Sequence, residues 1–453
     1  MKRLFFISML FLLGVACSQD DSLTATVDPV PEGGRNANPY TVTVEEALAN
    51  LDQVLAQIDG ETRAGGMRRA VSVDRVKAAD VCDLTRSEAA LDVEDLLYVV
   101  SFGEGNGSAV LGADKRVTQV MAVLDETVLT AEDFVRNSTR SSNIELDDSD
   151  LQTYLTNSMI DLAREDVLTT TDFEIIEPVP MKPGPKFTTE ICDELLQTPL
   201  TATKWGQSAP FNNQCPYKTN STTQRKPAGC GPIAIAQLLA FYQYPENNNV
   251  SSFNCPWSLL NQCNYPTDPE DFPSQAATYL ALYIRGLGIQ MGTNYGDTGS
   301  NTSSANMIAF LNSIGVSAIS LEWTEGSGVT SIVVNRISVE KEPVPIIGFY
   351  GTQSNECHIW LLDGMHQYTK YVYMQLYGEF GYLPKELVTQ SSVRFFHCNY
   401  GWEGLCDGYY THQLYDTTDE LQDEYIDTSV GDYKGVGGYN FNKRMVIYNI
   451  TNM

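Results

Sequence analysis

A cysteine attacks a carbonyl carbon as its thiolate, and Gly229-Cys230-Gly231-Pro232 sets one cysteine where a helix begins. Ile233, Ala236, Gln237, Ala240, Phe241 and Tyr244 recur at helical spacing, Pro232 suits a first turn, and Pro245 ends the run. Unsatisfied N–H groups and the positive end of the helix dipole favour a thiolate at that position, and the flanking glycines let a substrate backbone come close. An arbitrary cysteine in an exported, cysteine-rich chain is more often structural than catalytic. A buried structural thiol has no need of two glycines at a helix tip, so here the expectation reverses.

A thiolate nucleophile needs an imidazole, and the chain has four histidines. His358 follows the expected strand Val344 to Tyr350 and a polar turn, and it opens His358-Ile359-Trp360-Leu361-Leu362-Asp363-Gly364, so a hairpin edge would hold it. The imidazole in turn needs an orienting acceptor. Asn399, beyond the apolar strand residues Val393, Phe395 and Phe396, fits that role, and Trp402 could shield the bond from water. A glycine-rich turn with a buried indole is the bland alternative for Trp402. A developing oxyanion could take the Cys230 N–H and the side chain of Gln207, which lies upstream in Trp205-Gly206-Gln207.

The elements that carry these residues divide the chain in two. At 453 residues it exceeds what one hydrophobic core usually serves. Val44, Ala47, Leu48, Leu51, Leu55 and Ile58 recur as a helix, with Thr43 and Glu46 placed as a capping box. Leu97 to Phe102 and Ser108 to Leu111 read as a hairpin, Val117 to Leu124 as a further strand, and Thr153 to Ala163 as a helix. A connector with four prolines from Pro178 to Pro185 forbids continuous helix or central strand and marks the boundary. All four histidines lie beyond it.

Hydrophobic residues are 43% and charged residues 19%, with 24 tyrosines and 34 glycines, which describes a globular chain rich in strands and loops. A formal net charge of −28 without a compensating basic stripe excludes nucleic acid as a partner. Lys2 and Arg3, the apolar run Leu4 to Leu13 and small residues up to Ala16 read as a secretory signal peptide over 1–16. Gly14-Val15-Ala16-Cys17 resembles the lipobox of bacterial lipoproteins, with Gly14 where Leu is usual. The expectation is therefore an extracytoplasmic protein whose membrane contact is a lipidated Cys17, displayed on the cell envelope and open to release after processing. Acidic Asp20 and Asp21 resemble a surface-export tag. Without Cys17, nine cysteines remain, an odd number. Cys255 with Cys263, and Cys398 with Cys406, are close enough in sequence to pair, but spacing alone does not choose.

Taken in order, these segments resemble the streptopain family of bacterial cysteine peptidases, papain-like enzymes whose precursors carry a folded inhibitory prodomain. Trp205-Gly206-Gln207 with Pro210-Phe211-Asn212 is similar to the family's oxyanion motif, and Gly229-Cys230 with Ala236-Gln237 and Tyr244-Pro245 to its nucleophile motif. His358 with Asp363-Gly364 resembles the histidine motif, at a separation from Cys230 near the roughly 130–150 residues of papain-type enzymes. Asn399-Tyr400-Gly401-Trp402-Glu403-Gly404, followed by Asp407-Gly408, resembles the Asn/Trp motif. Tyr295 to Ser304 is similar to a substrate-facing Gly/Ser loop, and Gly435 to Asn440 to a glycine-rich C-terminal loop. Leu97-Tyr98-Val99 through Arg116 looks like the prodomain.

The resemblance implies an α+β fold: a papain-like two-lobed catalytic domain over 191–453, preceded by a signal peptide, a tether over 17–40, an α+β prodomain over 41–177 and a connector over 178–190. It implies peptide-bond hydrolysis by Cys230 and His358, with Asn399, Gln207 and Trp402 in support and no cofactor or metal. Substrate would meet Gly229, Cys357, Ser300 and Tyr400. Protein or peptide substrates, and the chain's own prodomain as inhibitor, are the implied partners. Two departures stand out: Cys357 where Gly usually precedes the histidine, and Tyr400 where Trp is usual. A Cys-His acyltransferase or amidase, and a catalytically silent adhesin or inhibitor, are the alternatives.

Overall fold

The structure, a computed structural model, describes residues 38, 40–62, 67–81, 93–138, 148–169, 186–246, 248–250, 253–323, 328–349, 357–378, 381–414 and 444–451. The signal peptide, the tether from Cys17 through residue 37, the connector residues 178–185 and the Gly435 to Asn440 loop lie outside these. No described helix is long and apolar enough to cross a membrane.

One antiparallel sheet of eleven strands runs through the molecule among the described residues. Its strands are β1 (Ser72–Lys77), β2 (Asp95–Ser101), β3 (Ser108–Gly112), β4 (Val120–Leu124), β5 (Lys186–Gln197), β6 (Ser317–Glu322), β7 (Val344–Phe349), β8 (Cys357–Gln375), β9 (Glu386–Asn399), β10 (Gly408–Thr411) and β11 (Arg444–Thr451). The spatial order is β1-β2-β3-β4-β10-β9-β8-β7-β11-β6, with β5 paired to the outer half of β8. The principal helices are α1 (Val44–Thr62), α2 (Ala131–Ser138), α3 (Asp148–Thr169), α4 (Cys230–Tyr242), α5 (Ser274–Gln290) and α6 (Ser304–Ser313). The α+β architecture expected from the sequence is the one observed.

The expected hairpin forms as β2 and β3, turning through Gly103, Gly105 and Gly107, all at positive φ. The next strand is shorter than its apolar run: it starts at Val120, because Val117 N–H closes a turn onto Asp114 O. Residues 186–190, placed in the connector by their nearness to prolines, are strand instead. The last proline is Pro185, and β5 begins at Lys186 with free N–H groups to pair with β8.

The sequence boundary does not interrupt the sheet. β4 pairs with β10 at Val123 and Tyr409, so strands before and after the connector form one ladder. Two apolar clusters straddle it as well. One sets Met121, Phe134 and Met159 with Trp360, Phe396, Tyr400 and Trp402; the other sets α1 residues Leu51 and Leu55 with Tyr368, Phe395 and Tyr409. A third joins the buried face of α4 to α5, α6, Ile359 and Leu361. The eight described cysteines, Cys255, Cys263, Cys398 and Cys406 among them, form no disulfide with one another, so neither suggested pair is a disulfide.

Candidate active site

Cys230 is the first residue of α4, as the glycine and proline spacing requires. Gly229, its N-cap, sits at φ 96, and a Cβ there would come within 3.1 Å of Ser300 O. Only glycine combines that conformation with that approach. The cap offers no side-chain hydrogen bond, so the N–H groups of Cys230 and Gly231 turn to the Cys230 sulfur. A third donor, Ile359 N–H, comes from β8. Burial pushes the thiol pKa up, against these three N–H groups that pull it down. Gln207 is tied to the same loop through its carbonyl, which accepts from Ala228 N–H at 2.9 Å.

His358 is the second residue of β8, opposite Gly348 of β7. β8 is an interior strand with partners on both sides further along, where the sequence reading placed a hairpin edge. The imidazole is 4% exposed and lies 5.0 Å from the Trp402 ring and 6.0 Å from Trp360, centroid to centroid. Its Nε2 lies 2.8 Å from Tyr400 O. A carbonyl can only accept, so Nε2 carries the proton and Nδ1 is the basic nitrogen. Burial lowers the His358 pKa to about 4, the Tyr400 carbonyl acting in the other direction.

The Cys230 sulfur thus accepts from the N–H of the residue after His358, and among the described residues no hydrogen bond joins it to the imidazole itself. Strand pleat explains this. Ile359 and Leu361 join the cluster of α4, whereas Trp360 joins that of Tyr400 and Trp402, and the ring of His358 stacks with theirs. Cys357, half-buried, shares the α4 side, and the nearby Cys230 sulfur adds to the effect of burial in raising its thiol pKa to about 12. Burial thus works against a thiolate–imidazolium pair in this arrangement.

Asn399 does not orient His358. It stands opposite Leu361 in register, on the α4 side, and its Oδ1 accepts from Gln237 Nε2 at 3.0 Å and from Gly401 N–H at 3.2 Å. Its amide donates to Thr203 O at 2.7 Å and Thr201 Oγ1 at 3.1 Å. Gln237 also accepts from Trp205 N–H, so the pair locks the nucleophile helix to β9 and to the oxyanion segment. Asn399→Ala is expected to destabilise the chain by about 1–3 kcal/mol, because it leaves the buried Gln237 amide without its acceptor. Activity per folded molecule should fall less than roughly 10-fold; thermal unfolding alongside peptide hydrolysis separates the two.

Of the proposed substrate contacts, Gly229 and Ser300 adjoin one another, but Ser300 Oγ donates to Pro227 O at 2.7 Å and braces the loop. Tyr400 is fully buried against Trp360 and Tyr410, so its side chain meets core and not substrate. Trp402 stands beside His358 as expected, its indole N–H buried without a partner. The sequence reading missed the Tyr400 carbonyl as imidazole acceptor, since no side chain announces a backbone group.

Residues 205–410 match the family model described as the Peptidase C10 family. This segment is a cysteine-type endopeptidase domain of the peptidase C10 family. The peptidase C10 match spans Gln207, Cys230, His358, Asn399 and Trp402 together. No curated protein matches the chain. Among solved structures, a mutant fragment of Prevotella intermedia prointerpain A is similar at 16% identity and a TM-score of 0.46, covering 78% of this chain and 94% of that one. Active wild-type interpain A cysteine protease from the same organism is similar at 18% identity and a TM-score of 0.37, covering 56% and 94%.

Proposed function

We propose that the chain is the latent precursor of an exported, envelope-anchored endopeptidase in which Cys230 is the nucleophile, His358 the proton carrier and residues 41–177 an inhibitory prodomain. The observation that carries this reading is the sulfur at the tip of α4, held by three N–H groups beside the peptide that follows His358, whose ring keeps Nδ1 free as the base. In the precursor the imidazole rests on the Trp402 side. A small shift of the ring toward α4 that keeps Nε2–H on the Tyr400 carbonyl would bring Nδ1 to the sulfur.

Nδ1 then takes the thiol proton and the thiolate adds to the scissile carbonyl carbon. The oxyanion falls to Cys230 N–H and the Gln207 amide, and the imidazolium gives its proton to the leaving amine. Water hydrolyses the thioester with His358 as base. Protein or peptide substrates fit this chemistry, which uses no cofactor. The signal peptide and Cys17 supply the route out of the cytoplasm and the lipid anchor. Cutting near 178–190 would part the enzyme from the anchored prodomain, unless the shared sheet keeps them together.

Mass spectrometry of the full-length chain incubated with iodoacetamide tests the assignment, because it reports the alkylated residue and the processing state at once. Cys230 is expected to carry the label, and His358→Ala to slow both its alkylation and self-processing by at least about 100-fold. Normal self-processing in His358→Ala would refute the role given to that residue.

A further inference from the structure

Asp407 is a buried carboxylate that the proposed chemistry does not use. It lies in the turn between β9 and β10, where Glu403, Gly404 and Cys406 all take positive φ. Its Oδ1 accepts from Tyr400 N–H at 2.8 Å, and Tyr400 O accepts from His358 Nε2, also at 2.8 Å. Tyr400 thus has a carboxylate on its N–H and the imidazole on its carbonyl, one on each of the two peptide units that meet at its Cα. The same turn is gripped from the prodomain: Asp125 N–H donates to Asp407 O at 2.9 Å, and Cys406 N–H to Thr127 Oγ1 at 2.7 Å.

We propose that Asp407 is a positioning residue for His358, acting by fixing the backbone of Tyr400, and that the prodomain segment 125–127 reaches the imidazole through this same residue. The inference rests on the reading of His358 as the proton carrier. An ionised carboxylate holds the Tyr400 N–H by a charge-assisted hydrogen bond, which fixes the backbone of that residue and keeps its carbonyl aimed at Nε2. The Tyr400 carbonyl then holds Nε2–H more tightly and favours the protonated ring that the leaving amine requires. A protonated Asp407 gives little of this.

The carboxyl is placed to respond to its surroundings. Burial raises its pKa to about 7, against the Tyr400 N–H, the His397 charge and Lys204, while Asp125 adds to the rise. The thiol of Cys406 adjoins it, its own pKa raised in part by the Asp407 charge. Removal of the prodomain takes away Asp125 and both backbone grips. The turn is then freer to move, and Asp407 ionises more readily.

The test compares wild type, Asp407→Asn and Cys230→Ala as full-length chains allowed to self-process, in hydrolysis of a fluorogenic peptide from pH 5 to 9. Asn keeps an acceptor for Tyr400 N–H and cannot ionise. It is expected to lower kcat roughly 3- to 10-fold with KM changed less than about 2-fold, and to remove an inflection near pH 7 from the wild-type profile. An Asp407→Asn profile that overlays the wild-type one overturns the inference while leaving the nucleophile assignment intact. Hydrolysis persisting in Cys230→Ala overturns the assignment itself. Should Asp407→Asn fail to fold, the His358 ring-proton resonance of the wild-type full-length chain decides: it should shift near pH 7 as well as at its own titration, and a flat trace there counts against the proposal.

Discussion

Cys230→Ala is expected to give a folded precursor that neither processes itself nor hydrolyses casein, with activity down by at least about 10⁴-fold. The loss is total for the covalent route because no other described thiol stands at a helix tip under three N–H donors. Folding should be nearly untouched. The residue is only partly buried, it opens a helix in which alanine is favourable, and its sulfur makes no disulfide. Casein hydrolysis, self-processing on gels and a thermal melt are the three readings needed. Residual hydrolysis by pure Cys230→Ala protein would end the peptidase assignment at this site.

The largest effect on stability is expected from His397→Ala. His397 Nδ1 lies 2.6 Å from Asp363 Oδ1 and its Nε2 lies 3.0 Å from Asp125 Oδ2, so the ring bridges a carboxylate after the connector and one before it. Both contacts need a ring proton. Burial opposes the charge, but Asp363 and Asp125 outweigh it and raise the pKa to about 10. Among the described residues, the carboxylate of Asp363, 1% exposed, otherwise meets only the N–H and hydroxyl of Thr201. Removing the imidazolium leaves buried negative charge uncompensated, at a cost of about 3–5 kcal/mol.

The pH dependence follows from the sign of that shift. A folded pKa raised above the unfolded value of about 6.5 gives stabilisation that is complete below 6.5 and disappears as pH rises through about 10. The wild-type urea midpoint should fall on the alkaline side, and His397→Ala should lack that fall. His358 and His366 act in the opposite sense. Burial lowers each to about 4, so the stability they contribute is present above about 6.5 and is lost as pH drops through 4. Acid therefore loosens the fold through these two, while the bridge at His397 keeps its proton. A variant with an unchanged midpoint at pH 7 would show that the bridge contributes nothing.

Much of the site was legible because its signals are local. The start of α4 at Cys230 follows from glycine, proline and helical spacing within one segment, and the strands at 344 and 357 follow from apolar runs bounded by polar turns. The placement of Trp402 beside the imidazole came from the ordered motifs. The role given to Asn399 failed for a non-local reason: the register of β8 against β9 sets it opposite Leu361, and pleat parity then points it toward Gln237 and away from His358. Tyr400 illustrates the same limit. Its side chain was assigned to substrate, yet its ring is core and its carbonyl does the polar work.

By itself the sequence determined which chemistry the chain carries, because a thiol at a helix tip, an imidazole on a strand and their spacing are properties of short segments. Only the tertiary structure decided which face of the sheet each group meets, that a backbone carbonyl and not an amide side chain holds the imidazole, and that strands on both sides of the connector form one sheet. Those outcomes depend on pairing between segments far apart in the chain. A shift of one residue in any such pairing would turn every side chain to the other face, and nothing in the local pattern near 230 or 358 records which register wins.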